Sequence, residues 1–339
     1  MTKKRLVNTA VALLSFGLGA ALFVWLIQRE GTDSIIDNLL TFGFWPFVGF
    51  VLISFLNFIL YSWRWQLIIN KHLPDSKDLP LWRIYLHRMA GFAVSYLTPA
   101  AQVGGEPARI AMLTTDKVPV RHATSSVLLD IAFEMTAYIA FIVAGVALAV
   151  YQGLGDGGSF AVILVVLGIV LFGLGVFFWA VGRGHGFFST LYKRAGLRKI
   201  KFLKRFEEPL CSMENMMTNF LQGDIRLIAL VAFLSITVIS FRVIEVFYLA
   251  HFFGFEVNFA QAFLVSTLPG IALLLPVPGS VGVFEGSFGL VFALLAIPIN
   301  PVSFALIIRS RDLVFIFVGI SHMMTRGGKF LRARLTGEG

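Results

Sequence analysis

Charge is scarce in this chain. Asp, Glu, Lys and Arg make up 14% of its 339 residues, where soluble domains carry about 25%. That excludes an ordinary soluble enzyme. The formal net charge of +9 does not point to nucleic acid, because an apolar chain collects Lys and Arg on its cytoplasmic loops. Cysteine is almost absent. The single Cys211 excludes an intrachain disulfide and a cysteine-rich metal site, and no role is assigned to it. Enzyme signatures are missing as well: H-E-x-x-H, G-x-S-x-G and G-x-x-x-x-G-K-[ST] do not occur. The six histidines, at 72, 87, 122, 185, 251 and 322, are scattered, and a pair such as His87 and His122 is not a metal site. The chain is therefore expected to be no enzyme and to need neither cofactor nor metal.

What is present is apolar. Hydrophobic residues make up 57% of the chain, and 35 are phenylalanine, which suits lipid-facing helices. Six runs approach or exceed the roughly 20 residues that span a bilayer: Leu6–Ile27, Leu39–Trp63, Thr124–Val150, Phe160–Val181, Ile225–Ala250 and Val302–Met324. The first follows Lys3, Lys4 and Arg5 and resembles a signal peptide. It is too long for an h-region and lacks a small-x-small cleavage site, so it is read as a helix. Trp63, Arg64 and Trp65 are read as an interfacial anchor. The loop 182–224 contains KRAGLRKIKFLKR, a segment suited to lying on anionic lipid.

Two further apolar segments, Leu86–Leu113 and Phe259–Ile297, are broken by proline and glycine. Orientation explains them. With a cytoplasmic N-terminus, segments 1–5, 64–88, 114–121, 182–224 and 325–339 lie inside and hold 22 of the 28 Lys and Arg, while the outer segments hold only Arg29. This positive-inside bias requires each broken segment to enter and leave on one side. The expected fold is an all-α polytopic membrane protein, a single transmembrane domain over 1–339. It has six transmembrane helices plus two re-entrant helical hairpins in an inverted-topology repeat, with halves of about 1–151 and 159–325. Both termini are expected in the cytoplasm, at the cytoplasmic (inner) membrane. PAAQVGGE, Pro99–Glu106, and PGSVGVFE, Pro278–Glu285, share Pro-x6-Glu at an offset of 179 residues. The same offset joins Asp130 to Arg309 and brings Arg242 within one residue of Arg64.

In LTPAAQVGGEPARIAML, residues 97–113, Pro99 interrupts the helix and Gly104–Gly105 let the chain turn. A new helix is expected near Glu106, with Pro107 in its first turn. Its N–H groups and Arg109 suit a phosphate, while Glu106 suits a proton or an amine. The alternative is a cap role for Glu106, paired with Arg109 at i, i+3. Pro278, Gly282 and Glu285 repeat the pattern, and Glu106 and Glu285 are expected to act as a pair. Asp130, Glu134, Arg242, Glu245, Arg309, Arg311 and Asp312 lie inside apolar runs, where ionisable groups face a bundle interior or aqueous cavity. These ten ionisable residues comprise six carboxylates and four arginines.

SYLTPAAQVGGEPARIAML, then SSVLLDIAFE, LPVPGSVGVFEGSFG and ALIIRSRDLV, resemble the transmembrane region of lysylphosphatidylglycerol synthases over roughly residues 5–330. In bifunctional members such as the multiple peptide resistance factors, this region is taken to move an aminoacylated phospholipid between leaflets. A soluble synthase domain follows it in those proteins; here the chain ends soon after the last apolar run, so lipid synthesis is not expected. The resemblance implies that Glu106, Arg109, Asp130, Glu285, Arg309 and Arg311 line a central cavity. The expected function is a flippase-like translocase for a polar-headgroup lipid, whether a phospholipid, an aminoacylated phospholipid or a polyprenyl- or hopanoid-type lipid. The alternatives are an ion-coupled secondary transporter of a small anion and a non-transporting accessory of a lipid-modifying enzyme. Membrane lipids are the expected partners, with a lipid-modifying enzyme as a second candidate, no nucleic acid, and a homo-oligomer left open.

Overall fold

The computed structural model describes residues 24, 25, 28, 31–72, 79–97, 104–154, 157–187, 189–190, 207–274 and 280–336. The first apolar run, Pro99, Pro278 and the KRAGLRKIKFLKR segment fall largely or wholly outside them. Among the described residues the chain is helical and without strands. The helices are α1 Thr32–Phe42, α2 Phe44–His72, α3 Leu81–Leu97, α4 Glu106–Thr115, α5 Val120–Tyr151, α6 Gly157–Gly182, α7 Glu207–Leu221, α8 Ile225–Phe252, α9 Phe259–Thr267, α10 Val283–Leu294 and α11 Pro301–Thr336, with a 3₁₀ stretch Leu268–Leu274 after α9.

Three of them, α2, α5 and α8, are long and apolar enough to cross a membrane. At 1.5 Å per residue they measure about 42–48 Å, beyond the roughly 30 Å hydrocarbon thickness. Their outward faces carry large apolar side chains such as Leu52, Leu56, Phe233 and Ile236, the residues a lipid-facing surface needs. The 36-residue α11 is long enough too, but Arg309, Arg311 and Asp312 sit within its apolar part. At 10 and 12 residues, α4 and α10 reach only about 15–18 Å and span nothing alone.

Helix α5 is central, packing against α2, α4, α6, α7, α8 and α9. One core joins its later turns, through Ile139, Ile142 and Val146, to α8–α11, where Phe288 and Phe304 pack at 5.1 Å. The most extensive helix pairing is α3 on α11. It depends on Gly319: a Cβ there would lie 2.2 Å from the Met89 carbonyl oxygen.

Two loop expectations are corrected. The polar stretch 64–88 is largely helical among the described residues: α2 continues to His72 and α3 starts at Leu81. Arg64, Trp65 and Arg88 are buried, and of the supposed Trp63–Arg64–Trp65 anchor only Trp63 is exposed. Successive helical residues point about 100° apart, so Trp63 faces outward while its two neighbours face the bundle. The basic loop 182–224 contains α7, which docks Met213, Met217 and Phe220 onto Leu129, Phe133 and Phe177.

A polar clasp closes one end. Asp116, between α4 and α5, receives His87 Nε2 of α3 at 2.7 Å and Arg326 of α11 at 2.8 Å, with Arg83 at 3.6 Å. His87 Nδ1 in turn lies 3.1 Å from His322 Nε2 on α11. Burial pushes the Asp116 carboxyl up, but the His87 hydrogen bond, then Arg326 and Arg83, outweigh it and hold it below the ordinary carboxylate range. The clasp is therefore complete above the unfolded value of about 3.9 and is lost as pH falls through the lower folded value. Asp116→Asn is expected to cost about 2 kcal/mol at neutral pH and to flatten the acid limb. Thermal unfolding in detergent from pH 7 to pH 3 checks this; equal acid sensitivity in both proteins contradicts it.

Candidate functional site

A cavity of about 520 Å³ lies between α2, α3, α4, α5, α8, the α9–3₁₀ segment, α10 and α11. Its lining includes five arginines, Arg88, Arg109, Arg242, Arg309 and Arg311, and four carboxylates, Glu106, Glu134, Glu245 and Asp312. Behind the lining, Arg64, Asp130 and Glu285 are fully buried. A charge removed from water is tolerated only when paired and hydrogen-bonded, so the pairing pattern decides what the site can do.

In the N-terminal part, Asp130 on α5 is the focus. It accepts from Arg64 Nε of α2 at 2.9 Å, from Arg88 of α3 at 2.5 Å and from Arg109 of α4. Glu134, one turn further, takes Arg64 at 2.8 Å and approaches Arg88 at 3.6 Å. Aromatic faces support the cations: Arg109 lies 4.0 Å from the Trp65 ring centroid and Arg88 4.9 Å from that of Tyr61. The approach of α4 needs Gly105, where a Cβ would lie 2.1 Å from the Gly91 carbonyl oxygen. Gly104 precedes it and does not line the cavity. The i, i+3 pairing of Glu106 with Arg109 does not form, because Arg109 turns to Asp130. Glu106 Oε2 is buried and has no hydrogen-bond partner among the described residues.

In the C-terminal part, Arg309 of α11 holds Glu285 of α10 and donates to the Tyr96 hydroxyl at 2.8 Å. Glu285 Oε2 accepts the Gly282 N–H at 2.7 Å, and Gly282 turns the chain into α10 at φ 78°. Both Glu285 oxygens are thus engaged, one by its own helix start. The expected Glu106–Glu285 pair is replaced by two different roles, a cap and a cavity carboxylate. Arg311 reaches Glu245 at 3.1 Å, Ser54 at 3.0 Å and Asp312 at 2.8 Å. Arg242 lies 5.2 Å from the Tyr138 ring centroid and forms no ion pair among the described residues.

Each part therefore carries three arginines and three carboxylates. One carboxylate, Glu106, is left over in the first, and one guanidinium, Arg242, in the second. Of the expected site residues, Gly105, Glu106, Arg109, Glu134, Arg242, Arg309, Arg311 and Asp312 line the cavity; Asp130 and Glu285 stand behind it, not in the lining as the resemblance implied. Arg64 and Arg88 were missed as site residues. A signal existed: six intramembrane carboxylates against four arginines were two cations short, and Arg64 lay one residue from the repeat equivalent of Arg242.

No protein of curated function and no solved structure matches the chain. The family described as lysylphosphatidylglycerol synthase TM region matches residues 10–319. That span holds every arginine and carboxylate of the cavity and its wall. The chain belongs to this family, as its motifs implied, and is a multi-pass membrane protein linked to lipid biology.

Proposed function

We propose that this protein is a translocase that moves a polar-headgroup lipid across the cytoplasmic membrane. The observation that carries the reading is the cavity itself: a charged chamber set among helices whose outer faces are apolar. A headgroup needs the first and acyl chains need the second. In this reading α3–α4 and the α9–α10 segment are two re-entrant hairpins of an inverted repeat, entering from opposite sides. The short reach of α4 and α10 supports it. Rocking one repeat against the other alternates access, and the headgroup exchanges partners with the lining charges as it passes. Without a nucleotide-binding motif, the driving force is an ion gradient or downhill lipid flow. An inert accessory would have an uncharged, tightly packed centre, so the charged cavity favours transport over that alternative.

Topology is tested by single cysteines in a Cys211→Ser background. Lys117→Cys and Gln222→Cys are expected to label only from the cytoplasm, and Gln152→Cys and Glu256→Cys only from outside. Lys117 and Gln152 labelling from the same side overturns the arrangement.

Transport is tested with Arg109→Gln. Asp130 keeps Arg64 and Arg88 in that variant, so folding should survive with a loss of about 1–2 kcal/mol. Lipid translocation in proteoliposomes should fall about ten-fold or more, the effect of one charged hydrogen-bonding contact. A well-folded variant with unchanged translocation removes Arg109 from the mechanism.

A further inference from the structure

Five buried side-chain polar atoms have no hydrogen-bond partner among the described residues: Asn57 Oδ1, Arg88 Nε, Glu106 Oε2, Arg109 Nε and His122 Nδ1. Native interiors leave few such atoms, and each calls for a cause. Four of the five residues, all but His122, line the charged cavity. Chance placement would scatter them over the bundle.

The four divide by chemistry. Asn57 Oδ1 and Glu106 Oε2 are acceptors without donors. Arg88 Nε and Arg109 Nε are donors without acceptors. Arg242 adds a guanidinium with no ion-pair partner among the described residues, its Cζ 5.2 Å from the Tyr138 ring centroid. A ligand that satisfies the whole set brings N–H donors on a cation and oxygen acceptors on an anion.

Geometry keeps the two needs close. Arg109 meets Asp130, and Glu106 lies one turn of α4 away on the side remote from the 116–119 connection. Tyr138, which carries Arg242, lies two turns beyond Asp130 on α5, again away from that connection. Both leftover charges line the same cavity of about 520 Å³, within the range of a small-ligand site.

We infer that the cavity selects a net-neutral zwitterionic headgroup carrying one primary ammonium and one phosphate, with the ammonium at Glu106 and Asn57 and the phosphate at Arg242 and the free Nε donors. This deepens the translocase reading and rests on it for the lipid as source. A quaternary ammonium has no N–H for the two orphan acceptors. An anion alone leaves Glu106 unmatched. A lysyl headgroup brings a second ammonium, and no second carboxylate lining the cavity is without an ion pair among the described residues: Glu134 holds Arg64, and Glu245 and Asp312 hold Arg311.

The test uses the full chain in nanodiscs and proteoliposomes. Binding by native mass spectrometry and translocation are measured for phosphatidylethanolamine, phosphatidylcholine, phosphatidylglycerol and lysyl-phosphatidylglycerol. Phosphatidylethanolamine should bind about ten-fold or more above each of the others. Glu106→Gln and Arg242→Gln should each lower its binding by about the same factor, and Asn57→Ala should lower it several-fold. Asn57→Ala, a neutral change, keeps the test open if a charge variant does not fold. Glycerophosphoethanolamine, the soluble headgroup, should compete only weakly; equal competition makes the source a soluble phosphoethanolamine and overturns the lipid part. Equal binding of phosphatidylcholine, or a preference for phosphatidylglycerol or lysyl-phosphatidylglycerol, overturns the headgroup assignment. Selective binding without translocation overturns the translocase reading and leaves the headgroup assignment standing. Indiscriminate translocation does the opposite.

Discussion

The structure depends on Asp130. One buried carboxylate on the central helix receives guanidiniums from α2, α3 and α4, so three separate elements are anchored to α5 at a single point. Such a cluster is a poor source of net stability, since desolvating the charges offsets much of their attraction. Its value is in position. Arg109 has no other ion-pair partner among the described residues, and Arg64 and Arg88 share only Glu134 besides, so the cluster favours the register that brings all three helices to Asp130. Trp65 and Tyr61 fix the guanidinium planes, and Gly105 lets α4 come close enough to deliver Arg109.

The C-terminal part solves the same problem with different residues. Arg309 is satisfied by Glu285, Tyr96 and the Ser280 carbonyl, and Arg311 by Glu245 and Asp312. In the cavity and its wall six arginines face six carboxylates, and the ion pairs among the described residues leave one group of each sign at the cavity surface. A fully matched cavity gains little from a headgroup, because each new contact breaks an existing one. A wholly unmatched one is too costly to fold. One carboxylate and one guanidinium without an ion pair among the described residues are a compromise: enough to recognise a zwitterion, and few enough for the bundle to carry.

Much of this was legible in the sequence because ionisable residues inside apolar runs are conspicuous. Glu134, Arg242, Arg309, Arg311 and Asp312 were found on that ground, and Glu106 and Arg109 by the proline and glycine around them. Arg64 and Arg88 were hidden by context. They stand near the ends of apolar stretches and flank Lys71, Lys77 and Arg83, so hydropathy groups them with loop cations. Whether an arginine at a helix end snorkels to water or turns inward depends on what another helix offers, here Asp130, and no local pattern carries that. Glu285 shows the converse limit. Its Pro-x6-Glu spacing matches that of Glu106, yet Gly282 and Arg309 occupy both of its oxygens, so equal spacing did not mean equal roles.

The central claim is that ten of the twelve charges of the cavity and its wall are ion-paired among the described residues, and that Glu106 and Arg242 are not, which leaves these two for a ligand's charges. Neutralising each in turn and measuring thermal stability of the lipid-depleted protein tests it directly. Asp130→Asn should be strongly destabilising, on the order of 3–5 kcal/mol, because it removes the one carboxylate shared by Arg64, Arg88 and Arg109. Glu106→Gln and Arg242→Gln should cost far less, because neither charge has an ion-pair partner to strand among the described residues. Destabilisation by Glu106→Gln or Arg242→Gln equal to that of Asp130→Asn would contradict the account.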